Sequence, residues 1–400
     1  MRRKLSSPPE GHDGHSRQRT SLDVFGAGPL VVAIGLLLIG CSAPGTEATP
    51  IDTPSPLPRE ETVTLPPEGK LLLYTNDGPV ILSHAEDRPT SLQRPGETIW
   101  AADLSSDGAE VLALSFQREP TGITREPRIL VIAVDTTNRR TVVRVGPRGD
   151  LGPALWSPDG ARIAYRLTVY GVDPARIHPF HHGQRTSLCT VDLRTELTRC
   201  FSGLGRVDGF GWSPDGQTLV VDVVGPRPLW KLDRASGRRS VLVSPRGRWI
   251  ERAGLSEPVT FTSPGWSPSG RYVSAWVNNT PIVFHADGRL AAVGRHSREF
   301  TEALGWSPTE DVFAYARGDP PQFTEIRLLD PRTGEDRRLV SAEGYPYITG
   351  LVWSLSGRWL AVLRWQSSFK QRIDVIDVTG DQPPITTERA DSPVLVDWGP

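Results

Sequence analysis

Four hundred residues, 38% of them hydrophobic and 12 of them Trp, are enough for one large or two ordinary domains and exclude a disordered chain. The formal net charge is −1, and the isoelectric point near 6.7 gives no whole-molecule case for nucleic-acid binding. Gly and Pro number 39 and 37, which favours many tight turns over long helices.

Residues 1–40 read as a lipoprotein signal peptide. Arg2, Arg3, Lys4, Arg17 and Arg19 form a positive segment, and an apolar run from Pro29 to Ile39 follows. That run is shorter than the ~20 residues a transmembrane helix needs, and it fits a signal-peptide core. It ends in Leu38-Ile39-Gly40-Cys41. This order resembles the lipobox of bacterial lipoproteins, and the resemblance implies lipidation of Cys41 as the mature N-terminus. Residues 41–66 are rich in Pro, Thr and Ser, and are expected to act as an extended tether.

From residue 67 to 400 the chain repeats itself. Trp156-Ser157-Pro158-Asp159-Gly160 recurs as Trp212-Ser213-Pro214-Asp215-Gly216 and as Trp266-Ser267-Pro268-Ser269-Gly270. Weaker copies begin at Leu104, Trp306 and Trp353. They depart from the pattern with Leu104 for Trp, Leu355 for Pro and Glu310 for Gly. Copies lie about 40–56 residues apart. Each is followed by an alternating strand, then by a second strand ending in Asp, as at 129–135, 187–192, 229–233, 326–330 and 373–377. Four antiparallel strands per repeat make one blade of a β-propeller.

The motif reads as turn chemistry. Pro presets φ, Asp or Ser bonds nearby amides, and Gly accepts a positive φ. The Trp supplies packing surface between neighbouring blades. The chain ends Asp397-Trp398-Gly399-Pro400, where a repeat should begin, and the folded part starts at Glu68-Gly69-Lys70, where one should continue. Joined, they complete a split blade. The expected fold is therefore all-β, a seven-bladed propeller of four-stranded blades closed by the C-terminal strand. The unit resembles the TolB-type propeller repeat, also found in the propeller domains of prolyl oligopeptidases and in some bacterial lipoproteins. The resemblance covers residues 67–400. It implies the fold and leaves the function open.

Candidate chemistry is sparse. The Gly-Trp-Ser segments at Gly211, Gly265 and Gly305 lack the last Gly of a nucleophile elbow, so they are blade turns. His178, His181 and His182 could ligate Zn or Mn, but the other His residues of the mature chain are scattered. The cluster is read as a polar loop, and no metal, cofactor or catalytic residue is expected. Cys189 and Cys200 lie symmetrically about a turn at Arg194-Thr195, so they should face each other across a hairpin within disulfide reach.

Three long connections, 117–128, 168–186 and 244–258, should share one face on neighbouring blades. They carry Arg118, Arg125, Arg128, Tyr170, Arg176, Phe180, Arg246, Arg248, Trp249 and Arg252, a composition suited to recognition. The expectation is a monomeric, non-enzymatic binding scaffold. It would be lipid-anchored at the cell membrane or outer membrane, facing the periplasm or cell exterior. Its partner would be an envelope or extracellular protein, a peptide or an anionic polymer, and not nucleic acid. The alternative is a propeller lyase or hydrolase acting on envelope or extracellular polysaccharide.

Overall fold

A computed structural model describes residues 66 and 69–399, except 76–77, 84–88, 96, 119–123, 136–137, 147, 171–183, 299–303, 320–322, 344–346, 367–369, 382–383 and 390–393. The expected signal peptide, Cys41 and nearly all of the tether lie outside the described residues.

Seven four-stranded antiparallel sheets form the blades. Blade 1 holds β1 (Lys70–Thr75), β2 (Gly78–Ser83) and β3 (Thr90–Ser91), with the last strand, β28 (Val394–Gly399), on its inner edge. Blade 2 runs β4 (Thr98–Leu104), β5 (Glu110–Arg118), β6 (Thr124–Ala133) and β7 (Arg139–Arg144). Blade 3 runs β8 (Gly149–Trp156), β9 (Arg162–Tyr170), β10 (Gln184–Asp192) and β11 (Thr198–Phe201). Blade 4 runs β12 (Val207–Trp212), β13 (Thr218–Val223), β14 (Leu229–Asp233) and β15 (Arg239–Val243). A short helix, α1 (Arg248–Arg252), precedes blade 5, which runs β16 (Phe261–Trp266), β17 (Tyr272–Val277), β18 (Thr280–His285) and β19 (Leu290–Val293). Blade 6 runs β20 (Leu304–Trp306), β21 (Phe313–Asp319), β22 (Phe323–Leu329) and β23 (Asp336–Glu343). Blade 7 runs β24 (Tyr347–Trp353), β25 (Trp359–Gln366), β26 (Lys370–Asp377) and β27 (Ile385–Arg389).

Ring closure has the register expected of a split blade. Leu71 pairs with Trp398 and Leu72 with Asp397. Trp398 is 2% exposed and packs with Leu71, Leu73, Trp359 and Leu363, so the last strand joins blades 1 and 7 in one core. Closure removes the sheet edges an open array would expose.

The repeat motif closes the inner hairpins of blades 2, 3 and 4 through its own side chains. In blade 3, Ser157 Oγ donates to Asp159 Oδ1 (2.5 Å) and accepts the amide of Arg162 (2.9 Å), while Asp159 Oδ1 accepts the amide of Ala161 (3.1 Å). Ser213 and Asp215 repeat this in blade 4, and Ser105 and Asp107 in blade 2. Gly160 has φ +64° and Gly216 +63°, the left-handed conformation that only Gly adopts at no cost. These turn bonds hold the carboxyls of Asp107 and Asp215 below the ordinary range, first through the hydroxyls of Ser105 and Ser213 and then through the amides of Ala109 and Gln217.

Blade 5 has Ser269 in the Asp position. The missing carboxylate is supplied by Asp311 of blade 6, which accepts from Ser269 Oγ (2.7 Å) and from its amide (3.3 Å). The Trp residues link blades in series. Trp212 donates its indole N–H to the carbonyl of Leu155 (3.4 Å), Trp306 to Gly265 (3.2 Å) and Trp353 to Gly305 (3.1 Å), each in the preceding blade.

Candidate functional site

In an antiparallel blade the turns after strands one and three leave one face of the ring, and those after strands two and four leave the other. The second face carries the connections 145–148, 202–206, 224–228 and 244–260 around blades 3 to 5. These segments hold six arginines (Arg148, Arg206, Arg227, Arg246, Arg248 and Arg252) against two glutamates (Glu251 and Glu257). All six arginines are exposed. Arg185, at the start of β10, is exposed at the same end of blade 3. Arg148, Arg185, Arg206 and Arg227 are additions to the expected set. Arg148, Arg206 and Arg227 lie in segments too short to stand out as loops, whereas Arg185 falls inside the expected connection 168–186 without being singled out there.

Several expected contacts are corrected. The segment 117–128 is mostly hairpin, not loop: Gln117 pairs with Arg125, and Arg118 with Thr124. That pairing is local, across the tip of one hairpin, and a polar stretch does not advertise it. Arg128 is engaged by Glu126 (2.8 Å), which also takes Arg144 (3.2 Å). Likewise β9 and β10 extend to a Tyr170–Gln184 pair, so the connection shrinks to 171–183. Arg176, Phe180, His178, His181 and His182 lie outside the described residues. Tyr170 is half-buried, and its hydroxyl lies 3.4 Å from Asp150 Oδ2. Burial and the Asp150 charge push that phenol up to about 12.

Trp249 is no free anchor. It packs on Phe261 (5.9 Å between ring centroids) and edge-on to Phe284 (5.1 Å), and its indole N–H donates to the Ser244 carbonyl (3.0 Å). It pins α1 to the core with Ile250, which leaves Arg246, Arg248 and Arg252 outward. Cys189 and Cys200 sit directly opposite on β10 and β11 and are joined by a disulfide.

A second constellation, at the inner strands, was not legible in the sequence. Arg166 on β9 lies over Gly152 of β8, where a Cβ would meet its Nε at 2.3 Å. It donates to the carbonyls of Val207 (3.4 Å) and Asp208 (3.3 Å) and stands 3.8 Å from the Asp208 carboxylate. Asp222, 1% exposed, accepts the amide of Gly209, and the amides of Asp208 and Ser263 also face it. Burial raises the carboxyls of Asp150 and Asp208 and pushes Asp222 up to about 7. Asp208 is 6% exposed, so with Asp222 it is withdrawn from solvent. The network ties blades 3, 4 and 5 together.

A further pair sits at the closure seam. Asp397 Oδ2 accepts the amide of Leu104 (3.1 Å), and Asp103 Oδ2 accepts that of Trp156 (3.3 Å), so each carboxyl reaches the inner strand of the next blade. Desolvation raises both, and the neighbouring Asp397 charge raises Asp103 further. Both residues keep partial exposure at the channel edge. Among the described residues no group of His, Cys, Asp and Glu is arranged to hold a metal ion.

Fold and faces together define a closed seven-bladed β-propeller with an arginine-rich rim. No family model matches the chain, and no curated protein matches it. Among solved structures it is similar to TolB from Acinetobacter baumannii, at 12% identity over 82% of this chain and 67% of that one, with a TM-score of 0.47. It is similar to the β-propeller domain of Cps50 (Swd1) from Myceliophteria thermophila, at 10% identity over 74% of this chain and 88% of that one, TM-score 0.53. A puromycin hydrolase matches at 16% identity over 78% of this chain and 50% of its own, TM-score 0.51. At these identities the likeness is one of fold.

Proposed function

We propose that this chain is a lipid-anchored, extracytoplasmic propeller that works as a binding scaffold without catalysis of its own. The rim formed by the connections of blades 3 to 5 is its binding face. The partner is an envelope or extracellular molecule bearing carboxylates or phosphates, which guanidinium groups pair with bidentately. The observation that carries this reading is the six exposed arginines against two glutamates in the described connections 145–148, 202–206, 224–228 and 244–260. A rigid ring beneath it suits recognition by loops.

Two experiments test the halves separately. Cys41→Ser should leave the protein unlipidated and release it from the membrane fraction or stall its processing. Fractionation identical to wild type overturns the anchor. The mature domain, immobilised, should capture an anionic component from its own cell envelope that elutes with salt, because exposed ion pairs are screened. Capture that is indifferent to salt overturns the charged face.

A propeller enzyme acting on polysaccharide is the second reading, and the channel-edge pair Asp103 and Asp397 is the observation in its favour. Depolymerisation of an acidic polysaccharide by the purified domain, lost in Asp103→Asn, would carry it over the scaffold.

A further inference from the structure

The arginine rim is interrupted by a small apolar cleft where blades 2 and 3 meet. It has a volume of about 350 Å³ and is lined by Val145, Gly146, Arg148, Gly149, Leu167 and Val169. The strand register explains why it exists. Gly149, Val169 and Arg185 are directly opposite one another across β8, β9 and β10, so they share one face of the sheet. In the next row of that face stand Leu151 and Leu167, which pack onto blade 2 with Ile129 and Val143.

The outermost row should continue that packing, but Gly149 has no side chain to contribute. A Cβ there would meet Val145 Cγ1 at 2.0 Å. Val145 therefore folds in against the glycine, and Val169 is left 43% exposed. Among the described residues, nothing covers this half-exposed valine and the apolar hollow beside it. Both of its flanks are cationic: Arg148 lines the hollow, and Arg185 is the cross-strand neighbour of Val169.

We propose that this cleft is the anchor pocket of the binding face, and that it receives a bulky apolar side chain from an extended acidic peptide. The inference rests on the rim being the binding face. It narrows the partner class, since an anionic polymer brings charge but nothing to fill an apolar hollow. Carboxylates on either side of the anchor lie along Arg148 and Arg185, and the anchor itself supplies affinity that salt does not screen. The hollow is open and apolar and its flanks are cationic, which is the division between a hot spot and its polar surround.

The test uses the mature protein and fluorescein-labelled peptides of Glu and Ser with one central Phe, or with Ala in its place. Polyglutamate and polyphosphate are the charge-only probes. Fluorescence anisotropy should show the Phe peptide binding roughly tenfold tighter than the Ala peptide, an advantage of ~1.4 kcal/mol. Val169→Gln fills the hollow with a neutral polar group. It should erase that preference while leaving polyglutamate binding unchanged. Arg148→Gln with Arg185→Gln should weaken both peptides alike. Thermal melting of each variant verifies folding, and Val169→Ser serves as a smaller change at the same exposed position.

Equal affinity for the Phe and Ala peptides, with polyglutamate still bound, overturns the anchor pocket and leaves the rim standing. Failure of every anionic probe at low salt overturns the rim and the pocket with it. Binding of polyphosphate alone assigns the face to a polymer and also overturns the peptide proposal.

Discussion

Asp222 holds its carboxyl between the inner strands of blades 4 and 5, where β12 and β16 both bulge. The bulges turn backbone amides inward. Gly209 is unsubstituted there because a Cβ would meet Pro264 at 3.0 Å and Asp222 at 3.2 Å. Ser263 adopts φ +51° on the facing bulge. Amide donation favours the ionised carboxyl, but desolvation is the larger effect and raises it to about 7. Of the charged groups facing it, Asp208 raises it further, and Arg166 beyond Asp208 does not reverse that balance. A folded-state value above the unfolded ~3.9 stabilises most at low pH and is lost as pH climbs to about 7. The contribution at stake is at most about 4 kcal/mol. Asp222→Asn mimics the protonated form. Its melting temperature should be flatter than that of wild type between pH 5 and pH 8, with the variant relatively better at pH 8. Parallel melting curves for the two proteins across that window would remove Asp222 as the titrating group. The turn aspartates act in the opposite sense. Asp107, Asp159 and Asp215 are held low by their turns, so their contribution is present above ~3.9 and lost as pH falls further.

Among the elements, the last strand has the largest consequence for its length. Six residues of β28 complete blade 1, cover Leu71 and Leu73, and place Trp398 against Trp359 of blade 7. Deleting residues 394–400 would expose the β1 edge and open that core. Trp398→Ala alone should cost ~3–5 kcal/mol, as other buried Trp deletions do. The deletion should aggregate or melt well below wild type, and unchanged melting of a soluble truncated chain would show that closure does not depend on β28. This strand was legible from the chain ends, because blade period and turn chemistry are local properties that repetition makes visible. Local signals failed where pairing or packing, and not composition, decides the outcome. The hairpin ends at Arg118 and Thr124 look like polar loop until their cross-strand pairing is seen. Trp249 looks like a surface anchor because Phe261 and Phe284, which bury it, belong to the following blade. The Arg166–Asp208–Asp222 network was equally hidden, since Arg166 of blade 3 and Ser263 of blade 5 reach the Asp208–Asp222 pair of blade 4 only across blade boundaries.

At the scale of the whole ring, the two faces differ in what their arginines are doing. On the short-turn face, several guanidinium groups are occupied by neighbouring turn carboxylates, as Arg162 is by Asp159 (2.9 Å) and Arg332 by Asp330 (3.0 Å). On the rim of blades 3 to 5, Arg246, Arg248 and Arg252 point outward from a segment that Trp249 and Ile250 clamp to the core. A rigid backbone under exposed cations lowers the ordering cost of binding. Arg246→Glu with Arg248→Glu reverses the charge at the centre of that rim and should spare the fold, since neither side chain is buried. The control must be equally exposed on the opposite face. Arg139 is unsuitable, being held by Glu97 with 8% of its side chain exposed. Arg194→Glu with Arg238→Glu, in the turns of blades 3 and 4, meets the requirement. The rim variant should lose polyglutamate binding by tenfold or more at low salt, while the control retains most of it, because local charge outweighs charge screened across the ring. If the control loses binding and the rim variant keeps it, the binding face is the one with the short turns.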